Sequence, residues 1–204
     1  MRQPIMDYLG SLNTLIAVFV GAILATGGAL MAEIIQDRRN RKRRERDAAR
    51  FFGDILISID QIIDFAFRSQ KIGDPWGTLT VRLYKTALKE AAVYERNRER
   101  LFDLQDMGLR SRIHRHFLTE TFPIEALIEN SEEIAAIKAG KKQSKADKAA
   151  LDELRAARVT GLNALRQEHA KTQELCRELE KIAGVSFAAL RGEDAPAPPI
   201  DTPS

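Results

Sequence analysis

The stretch from Tyr8 to Ala32 has no charged residue at any of its 25 positions, and this feature constrains the fold more than any other. A helix of 25 residues is about 37 Å long, whereas the hydrocarbon core of a bilayer is about 30 Å thick. The sequence therefore predicts a single transmembrane helix over residues 8–35, preceded by a short translocated N-terminus, residues 1–7.

A cleaved secretory signal is the alternative interpretation, because the segment is N-terminal and residues such as Gly27 and Ala29 resemble a cleavage site. Three features favour a retained anchor. The apolar run is about twice as long as the core of an ordinary signal peptide. Its N-terminal flank has one arginine, Arg2, balanced by Asp7, and the dense basic run follows the apolar segment instead of preceding it.

A polybasic segment, residues 36–50, follows the anchor. The positive-inside rule places this flank in the cytosol and the N-terminus outside, in what we expect to be a plasma membrane of the bacterial type. Arginines and lysines beside a membrane helix also bind anionic lipid headgroups, although setting the topology is the simpler role. The residues expected at the headgroups are Arg38, Arg39, Arg41, Lys42, Arg43, Arg44 and Arg46.

The rest of the chain has almost no net charge. Residues 1–50 carry a surplus of four positive charges, and the remaining 154 residues have a net charge of −1. A domain so balanced lacks the basic surface that nucleic acid requires, so we expect no nucleic-acid partner. The single cysteine excludes a disulfide framework and a cysteine-based zinc site.

Apolar residues after the anchor recur every three or four positions, which predicts an all-α fold: an antiparallel bundle of about four helices over residues 51–184. The membrane helix is expected to continue without a break to about Ile72, because no proline lies between Gly28 and Gly73. The apolar stripe of this first helix comprises Phe52, Ile55, Leu56, Ile59, Ile62, Ile63 and Ala66.

Three further helices are predicted, over residues 76–105, 109–139 and 145–183. Gly73 with Asp74 and Pro75 predicts the first turn, and Gly108 the second. Pro123 is expected to kink or split the third helix. Ser144 and Asp147 form a variant capping box, Gly184 suits a helix C-terminus, and residues 185–204 are read as a short helix or a disordered proline-rich tail.

The predicted buried positions follow the same periodicity. They are Leu79, Leu83, Tyr84, Ala87, Leu88, Ala91, Leu101 and Leu104 in the second helix, around a solvated YERNRERL; Ile113, Phe117, Ile124, Leu127, Ile128, Ile134 and Ile137 in the third; and Leu151, Leu154, Leu162, Leu165, Leu175, Leu179 and Ile182 in the fourth.

No residue is assigned a catalytic, cofactor-binding or metal-binding role. The chain contains no GxGxxG, GxxxxGK[ST], HExxH or GxSxG motif. His114 and His116 are two positions apart, so they point in opposite directions on a helix and are expected at or near the surface. His169 and Cys176 share a helix face, and we expect a core histidine near a buried thiol there in preference to a zinc site.

The sequence thus predicts a non-enzymatic membrane-anchored scaffold or interaction module that binds a second copy of itself or another helical protein. Small residues at steps of four favour close pairing of membrane helices. The predicted dimer ridge comprises Ala17, Gly21, Ala25 and Ala29. The alternative function is a membrane-active or signalling effector whose oligomerised anchor forms a pore or a switch.

Overall fold

A computed structural model describes the backbone of residues 3–72, 76–140 and 144–187, and the side chains of 18–70, 76–140 and 144–187. Four α-helices follow one another along the chain: α1 (Gln3–Ile72), α2 (Thr78–Arg96), α3 (Met107–Ala139) and α4 (Lys145–Ala183). A 3₁₀ helix, Arg98–Asp103, lies between α2 and α3. None of the described residues forms a strand, and the predicted all-α class is confirmed.

The chain divides into two compact units, which meet in sequence between Arg44 and Glu45. In the first unit every described side chain, from residue 18 to residue 44, is exposed. An 18-residue window of α1 has a mean hydropathy of 2.0 and no buried residue. By length and composition, this helix can cross a membrane.

The unbroken first helix is confirmed, because α1 continues to Ile72. The predicted turn at residues 73–75 lies outside the described residues, as does the tail beyond residue 187. The core of the second unit extends past the predicted limits of the domain at both ends. Ala48 and Ala49 are buried on one side, and Phe187 on the other.

The second helix is shorter than predicted. It ends at Arg96, because the Asn97 side chain donates a hydrogen bond to the carbonyl oxygen of Val93, 2.8 Å away, and the Asn97 backbone leaves the helical conformation. The chain then continues as the 3₁₀ helix.

The expectation that YERNRERL is solvated is wrong for Tyr94, which is buried and stacks on Phe117 with ring centroids 3.8 Å apart.

The break predicted at Gly108 lies two positions earlier, at Asp106, which is the N-cap residue of α3. The Asp106 carboxylate accepts hydrogen bonds from the backbone of Gly108 at 2.7 Å and of Leu109 at 3.1 Å, so α3 begins at Met107 and includes the glycine. Pro123 lies inside α3 without dividing it, so the predicted split does not occur.

The fourth helix agrees with the prediction at both ends. Ser144 and Asp147 form the capping box reciprocally, with distances of 2.7 and 3.1 Å. Gly184 closes the helix with φ of 66°, a left-handed conformation that glycine adopts without a steric penalty.

Side-chain contacts in the second unit join three pairs of helices, and in each pair the residue numbers rise along one helix as they fall along the other. Between α2 and α3, Lys85 pairs with Glu132 and Tyr94 with His114. Between α3 and α4, Arg112 pairs with Glu178, and Thr119 donates to Glu168. Between α1 and α4, Asp64 contacts His169 and Arg50 contacts the Ala183 carbonyl. These contacts are consistent with the predicted antiparallel bundle.

The predicted buried set is largely correct. Leu79 is the clear exception, with 64% of its surface exposed. It lies in the first turn of α2, where Thr80 is buried instead and its hydroxyl lies 2.9 Å from that of Ser69. Four other predicted positions, Ile62, Leu83, Leu88 and Ile182, are half-buried at the edge of the core, and Leu154 is half-buried as well. Ile137, near the end of α3, is also half-buried.

Candidate functional site

The residues predicted to contact the membrane surface lie on the exposed part of α1. All seven, from Arg38 to Arg46, have exposed side chains. Gly21, Ala25 and Ala29 of the predicted dimer ridge are exposed as well, and a Cβ placed on Gly21 meets no atom within 4 Å. The side chain of Ala17 lies outside the described residues. Both sets remain predictions, because they concern contacts with lipid and with a second chain.

A polar cluster that sequence analysis did not predict lies in the second unit, between α1 and α4. Asp60 and Asp64 are one turn apart on α1, beside the core residues Ile59 and Ile63. The imidazole of His169 on α4 lies between their carboxylates. Its Nδ1 is 3.2 Å from Asp60 Oδ1, and its Nε2 is 3.1 Å from Asp64 Oδ1.

The two ring nitrogens of His169 do not make equivalent hydrogen bonds. A neutral imidazole has one N–H, which can serve only one of two carboxylates. The Nε2–Asp64 contact has hydrogen-bond geometry, whereas Nδ1 is buried and makes no well-directed hydrogen bond despite its short distance to Asp60. Arg68, one turn further along α1, places a positive charge 3.8 Å from the other Asp64 oxygen, whereas the close contact between Nδ1 and Asp60 Oδ1 is not a well-formed hydrogen bond.

A second polar group, contributed by α3 and α4, is buried more deeply. His116 has 4% and Glu120 has 2% of its surface exposed. His116 Nε2 lies 3.1 Å from the Thr172 hydroxyl and 3.4 Å from Glu120 Oε2. His116 Nδ1 and Glu120 Oε1 have no hydrogen-bond partner among the described residues. Unsatisfied buried polar atoms are rare in native proteins, so this pair requires an explanation.

Burial keeps both side chains of this pair uncharged. Loss of solvation lowers the pKa of His116 to about 4, so the ring is neutral at pH 7. Loss of solvation, followed by the negative charges of Asp60 and Glu168, raises the pKa of Glu120 to about 8. Glu120 is therefore largely protonated at neutral pH, which reduces the cost of burying it.

The two polar groups are neighbours along α4, because His169 belongs to one of them and Thr172, three positions later, belongs to the other. Asp60 is the charged side chain with the largest influence on the Glu120 pKa, and His169 is among the charges that lower the pKa of His116. Glu168 lies at the edge of the cluster, where it accepts hydrogen bonds from Thr119 at 3.0 Å and Lys171 at 2.7 Å. Side chains from α1, α3 and α4 thus converge on one polar region.

An open cavity of about 830 Å³ gives solvent access to one side of this cluster. Its wall includes Asp64 and His169, together with Phe67, Trp76 and Arg166. Phe67 lies edge-on to the His169 ring, with centroids 5.4 Å apart, which fixes the ring from the cavity side. A small ion can reach Asp64 and His169 from this side without passing through the hydrophobic core.

The structure corrects two expectations about the histidines. His116 is buried in the core, not at the surface, whereas His114 is half-buried and its Nδ1 lies 2.6 Å from the Tyr94 hydroxyl. Cys176 is buried as predicted. His169, predicted as a core histidine, is only half-buried, and its ring faces Asp60 and Asp64 at the border of the core.

Sequence analysis missed the acidic members of the cluster, although part of the signal was readable. Glu120 lies three positions after Phe117 and four before Ile124, so the α3 periodicity alone places it on the buried face. Asp60 and Asp64 similarly flank the apolar stripe of α1. Their proximity to His169 depends on how α1 and α4 face each other, which periodicity does not specify.

Asp60, Asp64 and His169 have the chemical character of a ligand set. One atom from each of them can be chosen so that all three lie within 4.8 Å of one another.

Comparisons with protein-family models, with curated proteins and with solved structures find no match to this chain.

Proposed function

We propose that this chain is a single-pass membrane protein whose helical domain is a scaffold or interaction module at the cytosolic face of a bacterial-type plasma membrane. The N-terminus lies outside, and the domain is an antiparallel bundle of four helices that associates with a second copy of the chain. The observation that carries the proposal is the fully exposed apolar part of α1, with exposed side chains that include Phe19, Leu24 and Met31.

Exposed apolar side chains of this number are unfavourable in water, because each buried CH₂ group contributes about 0.8 kcal/mol. A soluble protein would bury them against other elements. In the described part of α1, the stretch 18–44 has no buried side chain. A bilayer provides the apolar surroundings that the chain itself does not provide for this segment.

The orientation is supported by the exposed arginines after the apolar stretch. They remain accessible to lipid headgroups, and each contributes about 1 kcal/mol near an anionic surface. Translocation of this basic segment is disfavoured, whereas the seven N-terminal residues contain one arginine.

An exposed apolar surface in the second unit supports a role in protein interactions. Phe102 and Met107 have 78% and 74% of their surfaces exposed, and both line a cavity of about 580 Å³. Arg110 lies over the Phe102 ring, 5.7 Å from its centroid. Grouped exposed apolar side chains are typical of contact surfaces.

A signalling effector is the second candidate function. It is favoured by the continuity of α1, in which every residue from Gln3 to Ile72 is helical. A helix without a hinge can transmit a rotation or a shift from an oligomerised anchor. If the anchor forms a pore, induced expression will depolarise the membrane. Growth and membrane potential that do not change at any induction level would exclude the pore version.

The test of the main proposal combines fractionation, a topology reporter and crosslinking. We expect the full chain to resist alkaline carbonate extraction, a C-terminal alkaline phosphatase fusion to be inactive, and crosslinking in intact cells to give a discrete dimer. As a control, glutamine at Arg38, Arg39, Arg41, Lys42, Arg43 and Arg44 should relax the orientation and activate part of the phosphatase. An active phosphatase in the unmodified chain would contradict the orientation and favour a cleaved signal.

A further inference from the structure

We propose that Asp60, Asp64 and His169 form a binding site for one divalent transition-metal cation, with zinc as the preferred ion. The imidazole supplies one nitrogen and each aspartate supplies one carboxylate oxygen. These ligands come from two helices, so the ion would also join α1 to α4.

The spacing of the three side chains suits an ion of this size. Zinc binds imidazole nitrogen and carboxylate oxygen at about 2.0–2.2 Å in tetrahedral geometry, so two ligand atoms lie roughly 3.4 Å apart. Asp60 Oδ1 lies 3.2 Å from Nδ1, Asp64 Oδ1 lies 3.1 Å from Nε2, and one atom from each residue can be chosen so that all three lie within 4.8 Å of one another. Because one ion binds only one ring nitrogen, one aspartate is already beside that nitrogen and the other must turn toward the ion.

A second observation, independent of this trio, is the buried carboxyl group of Glu120. Its Oε1 lies in the interior without a hydrogen-bond partner among the described residues. The negative charge of Asp60 is one of the causes that keep this carboxyl group protonated. A cation bound at Asp60 would reduce the cost of an ionised carboxylate at Glu120.

The donor set favours zinc over the alkaline-earth ions. Magnesium and calcium prefer sites made only of oxygen, whereas imidazole binds zinc and other later transition metals. The coordination would remain incomplete, because three side chains leave at least one position for water. The cavity beside Asp64 and His169 gives the ion a path from solvent.

The experiment uses the full chain, purified in detergent without a polyhistidine tag and stripped with a chelator. Zn²⁺ and Mg²⁺ are titrated separately against a chromophoric chelator, and the metal content before stripping is measured by mass spectrometry. We expect one equivalent of Zn²⁺ to bind more tightly than Mg²⁺. Asp60→Asn, Asp64→Asn and His169→Gln should each weaken Zn²⁺ binding by more than about 100-fold, beyond the loss caused by removing an outer-sphere partner.

Asp152→Asn and His114→Gln are the matched controls, because they remove the same groups outside the cluster and should retain wild-type affinity. The side chain of Asp64 is 45% exposed, so we expect Asp64→Asn to fold. This variant therefore tests the site even if Asp60→Asn and His169→Gln unfold the domain. The proposal is overturned if the stripped wild-type chain binds no stoichiometric Zn²⁺, or if Asp64→Asn binds as tightly as Asp152→Asn. Either result would leave the three side chains as a polar contact between α1 and α4 without a metal ion.

Discussion

The apolar part of α1 before Arg44 and the helical core after Glu45 obey opposite rules, although both are rich in apolar residues. In the first region Leu24 and its neighbours are exposed all round the helix. In the second, apolar side chains such as Ile59 and Leu165 are buried on one face of each helix, and charged residues occupy the other. A helix with apolar residues on one face packs that face against other protein elements, whereas a helix that is apolar all round requires an apolar solvent such as a bilayer.

The strongest test of this contrast is a carboxylate in the core. Leu165 is fully buried, so Leu165→Asp places an unpaired charge in the interior at a cost of several kcal/mol, against a typical total stability of about 5–15 kcal/mol. We expect the second unit to lose protease resistance while the chain stays in the membrane. Val159→Asp, at an exposed position of the same helix, is the control and should change stability by less than about 0.5 kcal/mol. Unchanged proteolysis of Leu165→Asp would contradict the assigned core.

The same substitution in the first region should have the opposite outcome. Leu24→Asp costs about 3 kcal/mol for insertion at the centre of a membrane helix. We expect less protein in the carbonate-resistant membrane fraction, while the second unit retains its protease resistance. Leu24→Ala serves as the control for lost side-chain volume. If Leu24→Asp destabilises the second unit and leaves insertion intact, the apolar segment is part of a protein core.

Two glycines sharpen the comparison by probing how tightly the core is packed. A Cβ on Gly53 would lie 2.3 Å from two ring atoms of Phe187, whereas a Cβ on Gly161 would lie 3.5 Å from Leu127, an ordinary contact. Gly53→Ala should therefore destabilise the second unit by about 1–3 kcal/mol through overpacking. Gly161→Ala should stabilise it by up to about 1 kcal/mol, because alanine favours the helix. Denaturant unfolding of both variants measures the difference, and equal effects would contradict the position of Phe187.

The buried pair of Glu120 and His116 predicts a pH dependence for the stability of the second unit. The Glu120 pKa rises from 4.5 to about 8 on folding, so the folded state holds a proton that the unfolded chain loses, and stability falls as pH rises through this range. The His116 pKa falls from 6.5 to about 4, so its contribution rises with pH between those values. Below pH 6.5, Glu120 and His116 change the free energy of unfolding in opposite directions as pH rises. From pH 6.5 to 8, Glu120 acts alone.

We therefore expect the free energy of unfolding, measured with a chelator present, to fall by about 2 kcal/mol between pH 6.5 and pH 8, at most about 1.4 kcal/mol per pH unit. Glu120→Gln removes the titrating proton and should abolish this fall. Glu132→Gln, which alters an exposed carboxylate of the same helix, should keep it. A fall of the same size in Glu120→Gln would mean that another group titrates.

The fold was predictable where local chemistry decides it. The capping box of Ser144, the left-handed Gly184 and the leucine periodicity of α4 each depend on neighbouring residues in the chain. The end of α2 was missed because Asn97 competes for a backbone carbonyl within a sequence that otherwise favours a helix. The polar cluster was missed because Asp60 and His169 are 109 positions apart. No local sequence pattern predicts which face of α1 packs against which face of α4.

The smallest expected effect concerns the pairing of the exposed segment with a second copy. In lipid, apolar helices gain nothing from the hydrophobic effect when they pair, so close packing at small residues is one of the few attractive contributions. Gly21 and Ala25 are exposed, and side chains larger than theirs would separate two helix backbones. Repulsion between the clustered arginines opposes pairing, but salt and anionic lipid screen it. Gly21→Ile and Ala25→Ile should each weaken the dimer by roughly 1 kcal/mol. Crosslinking of the full chain in membranes provides the measurement, with Gly27→Ile as the control, since residue 27 lies about 120° from Gly21 and about 160° from Ala25 around the helix. A dimer signal that falls equally in all three variants would show that added bulk, and not the ridge, disturbs the association.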